Sequence, residues 1–114
     1  MSDPRYVPCL WAREPGQFGR RLDVRWRDPA TSVDRSELDA ARRQNLVTVR
    51  IRGALDEQGR TIRWYAQQVG CSYDRMTRLL RGEIVMRLQD ITDAERILRL
   101  AITFTIETTP GSPR

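Results

Sequence analysis

The stretch that decides the fold is GRTIRWYAQQVGCSYDRMTRLLRG, residues 59–82, in which three glycines bound two short segments. Thr61 and Ser72 stand just before these segments, and the hydroxyl of such a residue caps a helix by accepting a backbone N–H. The first segment, Ile62 to Val69, stops at Gly70, a residue type that readily ends a helix in the left-handed conformation. These signals predict two short helices joined by a tight turn.

The second segment is amphipathic, and Gly82 closes it. Met76, Leu79 and Leu80 fall on one side at helical spacing, which predicts that this side is buried. We expect Ala66 to be small because the two helices cross closely there, and Val69 to join the shared core. The outer side is then predicted to carry Tyr73, Asp74, Thr77 and Arg78.

Longer helical patterns flank this stretch on both sides. Ser36 is the predicted N-cap of a first helix, whose apolar stripe includes Leu38, Ala41, Val47, Ile51 and Ala54 and which ends at Gly59. A fourth helix is predicted from about Leu88 to Leu100 because apolar residues recur there at helical spacing. A helical core is therefore expected over residues 36–100.

The two ends of the chain predict short strands instead. Residues 1–35 hold four of the six prolines and two of the three tryptophans, which disfavours a long helix. The segment 22–27 alternates apolar and charged residues, 6–11 is its predicted edge partner across a turn at 14–17, and 101–107 is alternating and rich in β-branched residues. We therefore expect one α+β domain, mainly α, with a small β-sheet from both ends and a frayed tail at 109–114.

Composition limits the function. A chain of 114 residues with 39% hydrophobic side chains is a typical single domain, and it lacks an apolar run of the roughly 18–20 residues that a membrane span needs. The N-terminus has no signal-peptide core, so a cytoplasmic location is expected. The sequence has no histidine, and Cys9 and Cys71 are not spaced for a metal site or a disulfide framework. We therefore expect no enzyme activity, metal or cofactor.

All twenty cationic side chains are arginines, and the net charge is +5. Although GC-rich codon usage also explains the absence of lysine, the resulting field attracts polyanions, and the guanidinium fork matches phosphates and guanine edges. Residues 1–52 carry eleven arginines against seven acids, and residues 53–82 carry five against three. Nucleic acid is therefore the favoured partner, with no membrane or small-molecule partner evident.

Residues 47–98 resemble the helix-turn-helix of the phage-repressor family, the Cro and XRE type. The spacing from Ala66 to Gly70, Ser72 and Met76 matches without a gap, as does the glycine after the second helix of the motif. The resemblance implies that this second helix enters the major groove. It also implies a set of base-reading residues: Tyr73, Asp74, Thr77 and Arg78.

The same resemblance suggests which groups contact DNA phosphates. The family often has glutamine at the first position of the first motif helix, where this sequence has Ile62. We expect the backbone N–H groups there, with Arg60 or Arg63, to replace that contact, and Arg75 and Arg81 to bind phosphates near the ends of the second helix. Arg78 suits guanine, and Asp74 suits cytosine unless it only complements the helix dipole.

The sequence-based hypothesis is thus a sequence-specific binder of double-stranded DNA, a transcriptional regulator or phage-type repressor, which forms a homodimer or occupies close half-sites. The alternative is a DNA-binding antitoxin, or a protein-interaction module with the same fold. Asp90, Asp93 and Glu95 also suggest a magnesium-dependent nuclease, but we interpret them as the solvated face of the fourth helix.

Overall fold

The computed structural model describes residues 6–102, and this part of the chain is mainly helical, as predicted. Two 3-10 turns, Pro8–Trp11 and Pro15–Gln17, come first. Four α-helices follow: α1 (Ser32–Glu57), α2 (Ile62–Val69), α3 (Tyr73–Leu80) and α4 (Leu88–Leu98). None of the helices in these residues is both long and apolar enough to cross a membrane.

The prediction of a sheet is wrong for the N-terminal segments. Pro8 begins a 3-10 turn within the proposed strand 6–11, and within residues 6–102 the only pairing with 22–27 is an isolated antiparallel bridge between Ala12 and Trp26. The alternation in 22–27 instead reflects an irregular segment that buries Val24 and half-buries Trp26. The third proposed strand, 101–107, lies outside the described residues from 103 onward, as does the tail 109–114.

Helix α1 begins four residues before the predicted cap. Thr31, rather than Ser36, is the N-cap, and its side chain accepts the Asp34 N–H at 3.0 Å. Asp34 in turn accepts the Ala30 N–H at 3.2 Å, so each side chain satisfies a backbone donor at the helix start. Thr61 and Ser72 cap α2 and α3, and α4 begins at Leu88, all as predicted, whereas α4 ends at Leu98 rather than at about Leu100.

The core is formed by residues from all four helices, with α4 packed against both α1 and α2 and α2 packed against α3. Its centre is formed by Tyr65, Met76 and Leu80, each almost fully buried. Ala66 is buried as predicted, and the face that α1 contributes comprises Val47, Ile51, Ala54 and Leu55. This packing fixes the orientation of α3, since one of its sides is entirely enclosed.

Residues 8–19 pack over the C-terminal end of α3. The Cys9 N–H donates to the Gly82 carbonyl at 2.9 Å. Gly82 has φ +74°, and a Cβ atom on it would lie 2.6 Å from the ring of Phe18. Only glycine therefore permits both the turn after α3 and the close approach of the N-terminal segment. Cys9 is buried, and it and Cys71 are both free thiols.

Two adjacent amides of α1 hold this arrangement together. Gln44 donates to the carbonyls of Leu79 and Ile84 and accepts the Met86 N–H at 3.0 Å. Asn45 accepts the Gly19 N–H at 2.6 Å and donates to the carbonyl of Arg21. Both amides are buried, so they satisfy backbone groups that water does not reach. The partners of Gln44 lie at the end of α3 and in the loop after it, and those of Asn45 lie in the N-terminal segment.

Candidate nucleic-acid interface

The outer face of α3 presents most of the predicted base-reading residues to solvent. Tyr73 is 44% exposed, Asp74 is exposed, and the side chain of Arg78 is half-exposed. Thr77 is half-buried, and its hydroxyl donates to the Asp74 carbonyl of its own helix at 2.9 Å. The structure thus brings Tyr73, Asp74 and Arg78 together on an accessible face, whereas Thr77 is less available.

The turn between α2 and α3 is set by Gly70, whose φ is +88°. The N–H groups of Gly70 and Cys71 both donate to the carbonyl of Ala66, at 2.9 and 3.0 Å. Ser72 then caps α3, and its hydroxyl accepts the Arg75 N–H at 3.0 Å. This turn holds the exposed face of α3 beside α2, as the sequence predicts.

The N-terminus of α2 offers backbone donors. Thr61 caps it by accepting the Trp64 N–H at 3.0 Å, and the Tyr65 N–H makes the first bond back to the Thr61 carbonyl. The N–H groups of Ile62 and Arg63 precede that bond, so the helix itself gives them no acceptor. The side chain of Ile62 packs against the core, which leaves its backbone N–H as the group able to contact a ligand.

Two arginines near this terminus stack on aromatic rings. The guanidinium of Arg60 lies 4.4 Å from the ring centre of Trp64, which is itself half-buried against the core. Arg63 lies 4.3 Å from the ring centre of Tyr73, so it connects α2 with the start of α3. Stacking engages the face of a guanidinium and leaves its in-plane N–H groups able to bind phosphate. Arg63, a predicted phosphate contact, and Tyr73, a predicted base-reading residue, are therefore in contact.

Arg75 is engaged by a buried carboxylate. Its Nη2 lies 3.3 Å from Asp90 Oδ1, and the side chain of Asp90 is only 4% exposed. Asp90 also accepts the Arg87 N–H at 2.8 Å, which caps α4. Although partial burial opposes the charge of Arg75, the neighbouring Asp90 carboxylate, together with Cys71, outweighs this effect and raises the pKa of the guanidinium. Arg75 therefore ties α3 to the start of α4.

The prediction that Asp90 lies on a solvated face is consequently wrong. Asp90 stands in the first turn of α4, where the helix dipole favours an acid, but this position does not distinguish a buried acid from an exposed one. Asp93 pairs with Arg96 in the same helix at 3.5 Å, and Glu95 is half-buried. Within residues 6–102 no three acidic or cysteine side chains come together in a way that suits a metal ion.

Arg78 and Arg81 share one weak partner. The Nε of Arg78 and the Nη1 of Arg81 each lie 3.9 Å from an oxygen of Glu83, and all three side chains are substantially exposed. Exposed pairs at this distance contribute little free energy, about 0–1 kcal/mol. Both guanidiniums are therefore able to exchange Glu83 for another acceptor at small cost.

Sequence reasoning missed Arg20 and Arg52, which the fold brings close to the predicted phosphate contact Arg81. Arg52 of α1 is half-buried, and burial together with the charges of Arg20 and Arg81 lowers its pKa, while Asp56 acts in the opposite direction. No local pattern predicts this grouping, because the three arginines come from separate segments of the chain.

Comparison of the chain with protein-family models, with curated proteins and with solved structures gives no match. The resemblance of residues 47–98 to the phage-repressor helix-turn-helix therefore stays a prediction.

Proposed function

We propose that this protein binds double-stranded DNA sequence-specifically, with α3 in the major groove, and that it acts as a transcriptional regulator. One observation carries the proposal: α3 is capped and anchored in the core on one side, and it exposes Tyr73, Asp74 and Arg78 on the other. A rigid helix with such a face fits the groove, whose base edges offer acceptors to arginine and a cytosine donor to aspartate.

The surroundings of α3 support a division between base reading and phosphate binding. Arg78 projects from the exposed face of the helix and suits the two acceptors of a guanine. Arg60 and Arg63 lie at the N-terminus of α2, where backbone N–H groups and the helix dipole also favour a phosphate. The net charge of +5 favours association with a polyanion of any sequence.

Arg75 has a different part in this proposal. Because Asp90 engages its guanidinium, we assign it to positioning α3 against α4 rather than to a phosphate. The phosphate-binding arginines in the proposed complex are therefore Arg60, Arg63 and Arg81.

The proposal is tested by separating specific from general binding. Arg78→Ala is expected to weaken binding to the preferred site by about 1–3 kcal/mol while changing binding to random DNA much less. Arg63→Ala is expected to weaken both and to reduce the dependence on salt. The preferred site is first selected from random duplexes, and affinities are then titrated at several salt concentrations.

Arg99→Ala is the matched control, since it removes the same charge from the end of α4, in the less basic C-terminal part of the chain. If Arg78→Ala bound the preferred site and random DNA as tightly as this control does, α3 would not be the helix that reads the bases. If selection enriched no sequence, specific recognition itself would be rejected.

We also propose that two copies bind together, since one recognition helix covers a small site and two-fold pairing is the usual way to extend it. Light scattering on the complex with the minimal selected duplex measures the number of copies. One protein per duplex at saturation would contradict the paired arrangement.

A further inference from the structure

Gly19 lies at the meeting point of three segments. A Cβ atom on it would lie 2.5 Å from the Leu80 carbonyl oxygen and 2.6 Å from the methyl carbon of Thr48. The N-terminal segment, the end of α3 and the middle of α1 are therefore in direct contact there. Each of these segments places an arginine beside the contact: Arg20 follows Gly19, Arg81 follows Leu80, and Arg52 is one helical turn beyond Thr48.

These arginines are poorly compensated. The Nε of Arg52 is buried and has no hydrogen-bond partner among the described residues. The charge of Asp56 acts on Arg52, and Glu83 lies 3.9 Å from Arg81. A buried donor without an acceptor is unfavourable, and so is the approach of like charges. An oxyanion bound here would supply the missing acceptor and offset the mutual repulsion.

We propose that Arg20, Arg52 and Arg81 form a binding site for a phosphate group, and that in the DNA complex this group is a backbone phosphate. Three guanidiniums suit phosphate because their N–H groups donate to its oxygens in charge-assisted hydrogen bonds. Arg81 caps the C-terminal end of α3, whereas Arg63 lies against Tyr73 at its N-terminal end. The DNA backbone would then be held at both ends of the helix.

This inference gives the N-terminal segment a function, because it delivers Arg20 to the site. The DNA part of it depends on the proposed function, whereas the binding of a phosphate group does not. Free phosphate and a nucleic-acid backbone share the same chemistry, and two separate measurements distinguish them.

The first measurement uses inorganic phosphate alone. At constant ionic strength, phosphate is expected to raise the thermal unfolding midpoint of the unmodified protein, because a ligand of the folded state stabilises it. Arg20→Gln is expected to reduce this rise. Arg25→Gln, which removes an exposed arginine from the same segment, is the control and should keep it. Equal midpoints with and without phosphate in the unmodified protein would overturn a free-phosphate site.

The second measurement uses a random-sequence duplex. Loss of one phosphate contact is expected to reduce the slope of log affinity against log salt by roughly 0.9. We expect this reduction for Arg20→Gln and not for Arg25→Gln. Because Arg52 is half-buried, Arg52→Gln is interpreted only after its circular dichroism spectrum matches that of the parent, and the exposed Arg20 keeps the test valid if it does not.

The outcomes separate this inference from the proposed function. DNA binding with equal slopes for Arg20→Gln and Arg25→Gln would overturn the backbone-phosphate assignment while leaving the reading by α3 intact. Absence of any DNA binding would reject the proposed function, and the phosphate titration would then decide the site alone: a response that Arg20→Gln lowers supports it, and one that this variant leaves unchanged refutes it.

Discussion

Replacement of Asp90 by alanine removes the one acidic side chain that is buried in the described part of the chain. Asp90 accepts the Arg87 N–H at 2.8 Å and lies 3.3 Å from Arg75, whose side chain is 28% exposed. A hydrogen bond between charged groups contributes about 1.5–3 kcal/mol, and loss of an N-terminal cap costs about 1 kcal/mol. Asp90→Ala is therefore expected to lower the free energy of unfolding by about 3 kcal/mol.

Asp90→Asn divides this effect into its parts. The amide oxygen is still able to accept the Arg87 N–H, whereas the charge opposite Arg75 is lost. We expect about half of the destabilisation, roughly 1.5 kcal/mol.

Urea unfolding followed by circular dichroism measures both values at pH 7. The control is Asp39→Ala, whose carboxylate is half-exposed and lies 3.6 Å from Arg35. Such a surface pair is expected to contribute under about 0.5 kcal/mol. If Asp90→Ala cost no more than Asp39→Ala, the Asp90 contact would not stabilise the link between α3 and α4.

Three further predictions concern the packing of the N-terminal segment and of α1. Gln44→Leu leaves the carbonyls and the N–H that Gln44 binds unpaired, so a loss of about 2–4 kcal/mol is expected in urea unfolding, against almost none for the exposed Gln67→Leu. Gly82→Ala places a Cβ against Phe18 at positive φ, and a melting temperature equal to that of the parent would contradict this packing. Burial and Glu37 raise the pKa of Tyr6 to about 12, so the neutral phenol favours the folded state, and this stability is lost as pH rises from about 10 through about 12. Tyr6→Phe should lose this decline in the free energy of unfolding between pH 10 and 12. If the free energy of unfolding fell equally with pH in both proteins, the raised pKa of Tyr6 would be refuted.

The sequence predicted the elements whose signals are local. Thr61, Gly70 and Ser72 mark the boundaries of α2 and α3 because capping and the left-handed turn depend on neighbouring residues alone. The exposed face of α3 was predictable for the same reason. Once Met76 and Leu79 are placed in the core, helical spacing determines which side chains point to solvent.

Contacts between distant segments were not predictable in this way. Arg75 resembles any other arginine near a helix start, and only the folded arrangement brings it to Asp90. Alternation in 22–27 is the ordinary sign of a strand, yet a strand needs a partner, and the prolines of the preceding segment form 3-10 turns instead. The cluster of Arg20, Arg52 and Arg81 has no sequence signal, because three separate segments create it.

The hydrogen bond from the Cys9 N–H to the Gly82 carbonyl affects the order in which the segments of the molecule fold. The two residues lie far apart in sequence, Cys9 near the start of the described chain and Gly82 just after α3, and Gly19 likewise contacts Leu80. Closing so long a loop costs entropy, whereas the contacts among α1 to α4 join segments that are closer together in sequence. We therefore expect residues 6–31 to dock last on a preformed helical core, only after Gly82 has been synthesised and has left the ribosome.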